Sequence, residues 1–411
     1  MSVSEQAGQQ RVFKGHVHGD FSEVAQALSR ILPRQGQGGA SICVYHRGEC
    51  VVDVWAGTRD RAGSLWEPDT LALSWSTTKG VLATLLHLWV DRGHADYDDP
   101  VSRYWPRFAA EGKSGITLRQ VLCHEAGLHR LAPLIGHARE MLDWDHMVGV
   151  IEKARPVSSK CGAPAYHGLT FGWLVGELIQ RIGGEDLQTQ MRRELAEPLG
   201  LDGLHLGLPS DLQPRRAEVI ERVTEKAEPN ETPSSHRRRT LSRALGLHRR
   251  PESRAEAEAA LLPPGFETLD WNSAELSEAA IPAVSGFFTA RSLACLYARV
   301  CGQGVSQTES LISSATRSQA TKVQNDAPGR VIPVSMRWRL GYHSVAIAGG
   351  ESPHAFGHFG LGGSGAWADP ERDLAVALVL NSGMGSPFGD SRIIRVNSAA
   401  VRAADRRALA A

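Results

Sequence analysis

Apolar residues first recur at helical spacing over residues 19–32, where Val24, Leu28, Ile31 and Leu32 share one side of an amphipathic helix. Residues 41–45 and 50–55 then read as two strands, joined by His46-Arg47-Gly48-Glu49, a hairpin signal. Residues 81–90 are strongly apolar and helical in pattern, with Leu82, Leu85, Leu86 and Trp89 on one side. A largely helical middle follows. Within it, residues 118–123 and 174–182 read as helices, the second stopped by Gly183-Gly184. Strand patterns return at 337–342, 365–368 and 374–380, separated by turn residues such as Asp369-Pro370, and residues 392–408 read as a closing helix. This order predicts an α+β fold: an antiparallel sheet assembled from both ends of the chain, flanked by helices and interrupted by a helical insertion.

Length and composition set the frame for that fold. The 411 residues, 42% of them apolar, suffice for a substantial core. The expected organisation is an N-terminal arm over 1–19, a main domain over 20–400 with a helical subdomain at about 95–280, and a tail over 401–411. One stretch differs in kind: residues 215–258 are dense in Arg, Glu, Pro and Ser, which predicts a solvated loop or mobile excursion. Interspersed leucines (Leu241, Leu245, Leu247) leave a lid or membrane-surface role as its functional alternative. Acidic and basic residues balance at 45 each, so no global field draws nucleic acid or an anionic membrane. No apolar run reaches the ~18 to 20 residues of a membrane span, and the first residues lack the apolar core of a secretory signal. The six cysteines are scattered, and reduced, mostly buried thiols in a cytoplasmic setting are expected; Cys43 and Cys50 flank the hairpin turn and fall close in space if it forms.

Candidate chemistry begins at Ser76-Thr77-Thr78-Lys79, which directly precedes the apolar helix. That spacing puts Ser76 and Lys79 one turn apart on one helical face. A serine hydroxyl needs a base to become a nucleophile, and a lysine whose pKa is lowered by desolvation can serve. The positive end of the helix favours an alkoxide and disfavours an ammonium. The bland alternative is an N-capping serine followed by a surface lysine.

Three motifs in order narrow the choice. Ser76-Thr77-Thr78-Lys79, Tyr166-His167-Gly168 and His358-Phe359-Gly360 resemble those of the class C β-lactamases and their esterase relatives, the penicillin-binding-protein-like serine hydrolases. The runs 118–128, 197–201, 285–290 and 362–365 are similar to that family's connecting segments, so the likeness spans roughly residues 20–400 and leaves 215–258 mostly unmatched. The resemblance implies a β-lactamase/transpeptidase-like fold with Ser76 as nucleophile and Lys79 and Tyr166 as its basic partners, titrating as a unit. A neighbouring ammonium is expected to lower the phenol of Tyr166, which otherwise titrates near ~10. The backbone N–H groups of Ser76 and Leu361 become the oxyanion donors, while Gly360 lets the backbone approach and His358 faces the substrate. Two departures bear on substrate. Gly168 replaces an asparagine whose amide can bond an acylamino group, and His358 replaces a lysine able to hold a carboxylate. Both weaken recognition of a β-lactam and leave acyl transfer intact.

The expected function is therefore a serine hydrolase, a carboxylesterase cleaving short or medium acyl esters through a Ser76 acyl-enzyme. A β-lactamase, a D-alanyl peptidase and an acyltransferase remain alternatives on the same fold. A catalytically inactive binding or scaffold protein is the alternative of another class. The expected partner is a small-molecule ester, and no cofactor or metal is inferred. His124-Glu125-Ala126-Gly127-Leu128-His129 is one residue too long for a zinc-binding HExxH helix. His354 and His358 have Gly357 between them and no third ligand, no G-x-S-x-G elbow is present, and no phosphate-cradling glycine loop occurs between a strand and a helix. Trp75 and Trp367 are read as core residues.

Overall fold

The apolar runs from the two ends of the chain meet as neighbours in one sheet. The computed structural model describes residues 13–33, 37–157, 162–220, 231–244, 251–302, 310–383 and 390–409. Strands β1 (Lys14–Val17), β2 (Gly39–His46) and β3 (Glu49–Gly57) come from the N-terminal part. Three very short strands, β4 (Ala72–Leu73), β5 (Leu204–Leu206) and β6 (Gly286–Phe288), form a separate small sheet in the order β4-β6-β5. The C-terminal part supplies β7 (His343–Ile347), β8 (Gly350–Phe359), β9 (Gly365–Asp369) and β10 (Leu374–Leu380). The main sheet runs β1-β3-β2-β10-β9-β8-β7, every pair antiparallel, with Val376 of β10 opposite Val44 of β2.

Side-chain alternation explains why β10 sits at the centre. Leu374, Val376, Leu378 and Leu380 face a core shared with the helices Ser22–Ile31 and Ser391–Leu409. Ala375, Ala377 and Val379 face the opposite core, which holds the helices Thr77–Asp91 and Ala290–Cys301. A strand covered on both faces reads as a continuous apolar run, as this one does. The hairpin between β2 and β3 turns on Arg47 (φ 52°) and Gly48 (φ 77°), the left-handed pair that a tight two-residue connection requires. It brings the sulfurs of Cys43 and Cys50 to 3.8 Å as free thiols; Cys161 lies outside the described residues.

Two expectations need correcting. Residues 337–342 form no strand: Arg337 (φ 47°) and Gly341 (φ 76°) turn the chain, and Trp338 makes only an isolated bridge with Asn325. The strands fall one step later, at β7 and β8, where Gly350, Pro353 and Gly357 hide the alternation. The charged excursion is not simply a loop, because Pro233–Ala244 and Pro251–Leu261 are helices. Good helix formers fill the second one, Ala257 and Ala260 are fully buried, and Glu256 is ion-paired to Arg130 and Arg330. Residues 221–230 and 245–250, which include Leu245 and Leu247, lie outside the described residues.

The arm's residues 14–17 pair with β3 as an edge strand, and the closing helix continues through 401–409. Among the described residues no helix is long and apolar enough to cross a membrane.

Candidate active site

Ser76 stands where the small sheet hands the chain to the helix Thr77–Asp91. Strand β4 is pinned to β6 by Ala72 opposite Phe288, and the N–H of Ser74 donates to Gly286 O at 2.8 Å. Trp75 then takes a left-handed conformation (φ 50°), unusual for a bulky residue, and the helix begins. Ser76 occupies the N-cap position, yet its side chain makes no capping bond. The two threonines of the tetrad anchor this corner. Thr77 Oγ1 donates to Ser364 O at 3.2 Å, and Thr78 Oγ1 donates to Trp75 O at 2.6 Å while accepting from Gly286 N–H at 3.0 Å.

Lys79 is fully buried, which removes the surface-lysine alternative. Its Nζ lies 2.8 Å from Ser76 Oγ and donates to Ala283 O at 3.1 Å. Loss of hydration pushes its pKa well below that of an ordinary lysine, since the uncharged amine is the form burial favours.

Tyr166 completes a three-way contact. Its hydroxyl donates to Ser76 Oγ at 3.0 Å, and Lys79 Nζ lies 5.2 Å from its ring centre. The ring stacks on Trp338, 5.6 Å apart and 9° from parallel, and meets His124 edge-on at 4.9 Å. Burial pushes the phenol pKa up, and the Ser76 hydrogen bond opposes this only in part. The expected downward pull of an ammonium is not found, because burial also disfavours the charged lysine that would supply it.

Four buried histidines pack around this centre, and backbone amides decide their tautomers. His167 N–H donates to His124 Nδ1 (3.1 Å) and Leu128 N–H to His167 Nε2 (3.0 Å). Phe359 N–H donates to His343 Nε2 (3.1 Å), and His358 Nδ1 donates to Phe359 O (3.1 Å). Desolvation lowers the pKa of all four, so each is neutral near pH 7. His358 itself is fully buried, 4.7 Å from His343 ring to ring, and in this position it presents no charge to a substrate carboxylate.

The end of β8 closes the site from the other side. A Cβ on Gly360 would fall 2.2 Å from Ser74 O, so only glycine lets this strand end lie against the Ser76 corner. At Gly80 a Cβ would instead meet the buried Tyr297 side chain, 2.2 Å from Oη. The backbone N–H groups of Ser76 and Leu361 make no hydrogen bond among the described residues.

Several contributors carried no readable sequence signal: Ala283, which holds Lys79; Trp338, under Tyr166; and Leu261, against Gly168. The near-zincin residues separate in space, His124 facing Tyr166 and His129 Nε2 bonding Glu256 at 2.9 Å. His354 pairs with Glu371, while Trp367 is buried and bonds Asn397. Chemically, the assembly offers one hydroxyl between an amine whose charged form burial disfavours and a phenol whose proton burial retains, beside two backbone amides that make no hydrogen bond among the described residues. Nucleophilic acyl transfer needs these parts.

The comparisons with known proteins agree. The model of the Beta-lactamase family matches residues 16–401. The chain is 38% identical over 379 residues to a protein of Mycobacterium tuberculosis named esterase/beta-lactamase LipL, covering 90% of this chain and 83% of that one. Among solved structures, a penicillin-binding-protein homologue from Caulobacter crescentus superposes with a TM-score of 0.80 at 31% identity, covering 95% of this chain and 100% of that one. A family VIII carboxylesterase does so with 0.81 at 28% identity and the same coverage.

Proposed function

The chain belongs to the Beta-lactamase family and is a serine hydrolase, and we propose that it is a carboxylesterase acting on short or medium acyl esters through an acyl-enzyme on Ser76. The contact of one hydroxyl with both Lys79 and Tyr166 carries this reading. Neutral Lys79 takes the Ser76 proton as Oγ attacks the ester carbonyl. The oxyanion that forms is held by the backbone N–H groups of Ser76 and Leu361, each such donor being worth roughly 3 to 4 kcal/mol. Tyr166 gives its proton to the departing alkoxide as the carbonyl–alkoxy bond breaks, and the ammonium of Lys79 hands on to Tyr166 the proton taken from Ser76, which leaves both groups neutral. Water then attacks the acyl-enzyme by the same route in reverse and releases the acid. His358 and Gly360 shape the strand end that presents Leu361 rather than binding charge.

An ester rather than a β-lactam is favoured by the neutral, buried His358 and by the absence of a side-chain amide at Gly168. β-Lactam hydrolysis stands as the second reading because the M. tuberculosis relative carries both words in its name. A fluorophosphonate probe should label the wild type at Ser76 and leave Ser76→Ala unlabelled. Turnover of p-nitrophenyl esters should exceed that of a chromogenic cephalosporin, and rapid turnover of the cephalosporin alone would reverse the assignment.

A further inference from the structure

The helix Pro251–Leu261 begins in the charged stretch 215–258 that the family likeness leaves mostly unmatched, and it ends just beyond that stretch, against the catalytic tyrosine's own segment. A Cβ placed on Gly168 would fall 2.0 Å from Leu261 Cδ2 and 3.4 Å from Tyr166 Cε1. The methyl of Leu261 therefore occupies the space that a side chain at position 168 would take, next to the Tyr166 ring. Gly168 is buried, whereas Leu261 keeps part of its surface open.

The helix is firmly placed. Glu256 is ion-paired to Arg130 and Arg330 and bonded to His129 Nε2 at 2.9 Å. The peptide of Ala132 donates to Ala259 O at 2.8 Å, and that of Ala138 to Pro264 O at 2.7 Å. The carboxylate of Glu256 is held down to a pKa of about 2 by these cationic partners, so the clamp persists across ordinary pH. A leucine held this way is a fixed wall and not a passing contact.

We infer that Leu261 is a specificity-determining residue: it forms an apolar wall beside Tyr166 that selects esters whose scissile bond is flanked by hydrocarbon and limits the bulk of that flank. The inference rests on the Ser76 esterase reading and goes further by naming what sets its substrate class. Hydrocarbon against Leu261 leaves no buried polar group unmet, whereas an amide-bearing flank finds no partner on that methyl.

The test uses the full-length enzyme with Leu261→Ala and Leu261→Phe. Two ester series are measured, p-nitrophenyl acyl esters from acetate to octanoate with a branched member, and acetate esters of alcohols of rising size. In at least one series, Leu261→Ala should raise kcat/KM for the bulkiest member relative to the smallest by about 10-fold, one methylene in such a pocket being worth 10- to 200-fold. Leu261→Phe should shift the same ratio the opposite way. Ratios within twofold of wild type in both series, with each variant melting as wild type does and labelling at Ser76, overturn the inference. Failure of the wild type itself to label at Ser76 would instead strike the esterase reading, so the two outcomes are distinct.

Discussion

Replacing Lys79 by methionine removes the amine from the site while keeping the side chain's length and most of its volume. Its Nζ is 2.8 Å from Ser76 Oγ and makes one other hydrogen bond, to Ala283 O. Losing the proton acceptor should lower kcat by 10²- to 10⁴-fold, equivalent to about 3–5 kcal/mol of transition-state stabilisation. Stability should move differently. The folded-state pKa of Lys79 is depressed, so below its ordinary value the unfolded chain binds a proton that the folded chain does not. Folding stability contributed by this group therefore falls as pH drops through that window. Methionine removes the penalty, at the expense of an unpartnered Ala283 carbonyl worth about 1–3 kcal/mol. The melting temperature near pH 7 should accordingly stay close to that of the wild type. With p-nitrophenyl butyrate, the wild-type kcat should rise with pH as Lys79 loses its proton, and Lys79→Met should lack that rise. A variant that keeps kcat within tenfold and retains the ascending limb would show that the amine is not the base.

Tyr166→Phe should lower kcat by 10²- to 10⁴-fold for esters of poorly acidic alcohols and much less for p-nitrophenyl esters, whose leaving group needs little protonation; equal losses on both would refute an acid role. Gly360→Ala places a carbon 2.2 Å from Ser74 O, so thermal melts should show a loss of about 1–3 kcal/mol, and kcat/KM should fall by at least tenfold. Glu256→Ala removes a carboxylate held near pKa 2, which stabilises the fold above the ordinary 4.5 and ceases to do so as pH falls toward 2. Because solvent reaches that cluster, the shift is discounted to about 1–2 kcal/mol, read by denaturant unfolding at pH 7. Acid should destabilise the enzyme before any carboxylate matters. His87 and His343 are lowered from 6.5 to about 3 and about 4, so the unfolded state binds protons first as pH drops below 6.5. At pH 5 this costs roughly 2 kcal/mol for each, and a flat melting temperature between pH 7.5 and 5 would contradict it.

Local geometry was the part of this molecule most open to reading from its residues. The three-residue step from Ser76 to Lys79 means one helical turn wherever a helix follows, and one does. The turn at Arg47-Gly48 and the helix stop at Gly184 (φ 74°) were legible for the same reason. Tyr166 could be paired with Ser76 only through the family likeness, since 90 residues separate them and no periodicity links them. Strand β8 escaped notice because Gly350, Pro353 and Gly357 break its alternation, whereas 337–342 imitates a strand because Trp338, Leu340 and Tyr342 are all needed as packing under the site. Leu261 was invisible: it reaches the site on a helix whose charged face looks like a solvated loop, and the cations that fix it, Arg130 and Arg330, lie far from it in sequence. The direction of the Tyr166 shift was missed because motif residues say which groups meet and not how little water is left among them.

That lack of water also divides the labour between the two partners of Ser76. In solution a lysine ammonium and a phenol titrate close together, near 10.4 and 10, so neither is an obvious base toward the other. Here one cause moves them in opposite directions. Burial favours the uncharged member of each couple, which lowers the lysine and raises the tyrosine. Burial thus favours a neutral amine beside a neutral phenol and resists a Lys⁺–Tyr⁻ pair. The histidines packed around them reinforce this, because His124, His167, His343 and His358 are themselves held neutral and fill the space with polar but uncharged rings. An uncharged amine can take the Ser76 proton, and a phenol that keeps its own can give one to a leaving alkoxide. These directions support the proposal that Lys79 is the proximate base and Tyr166 the acid.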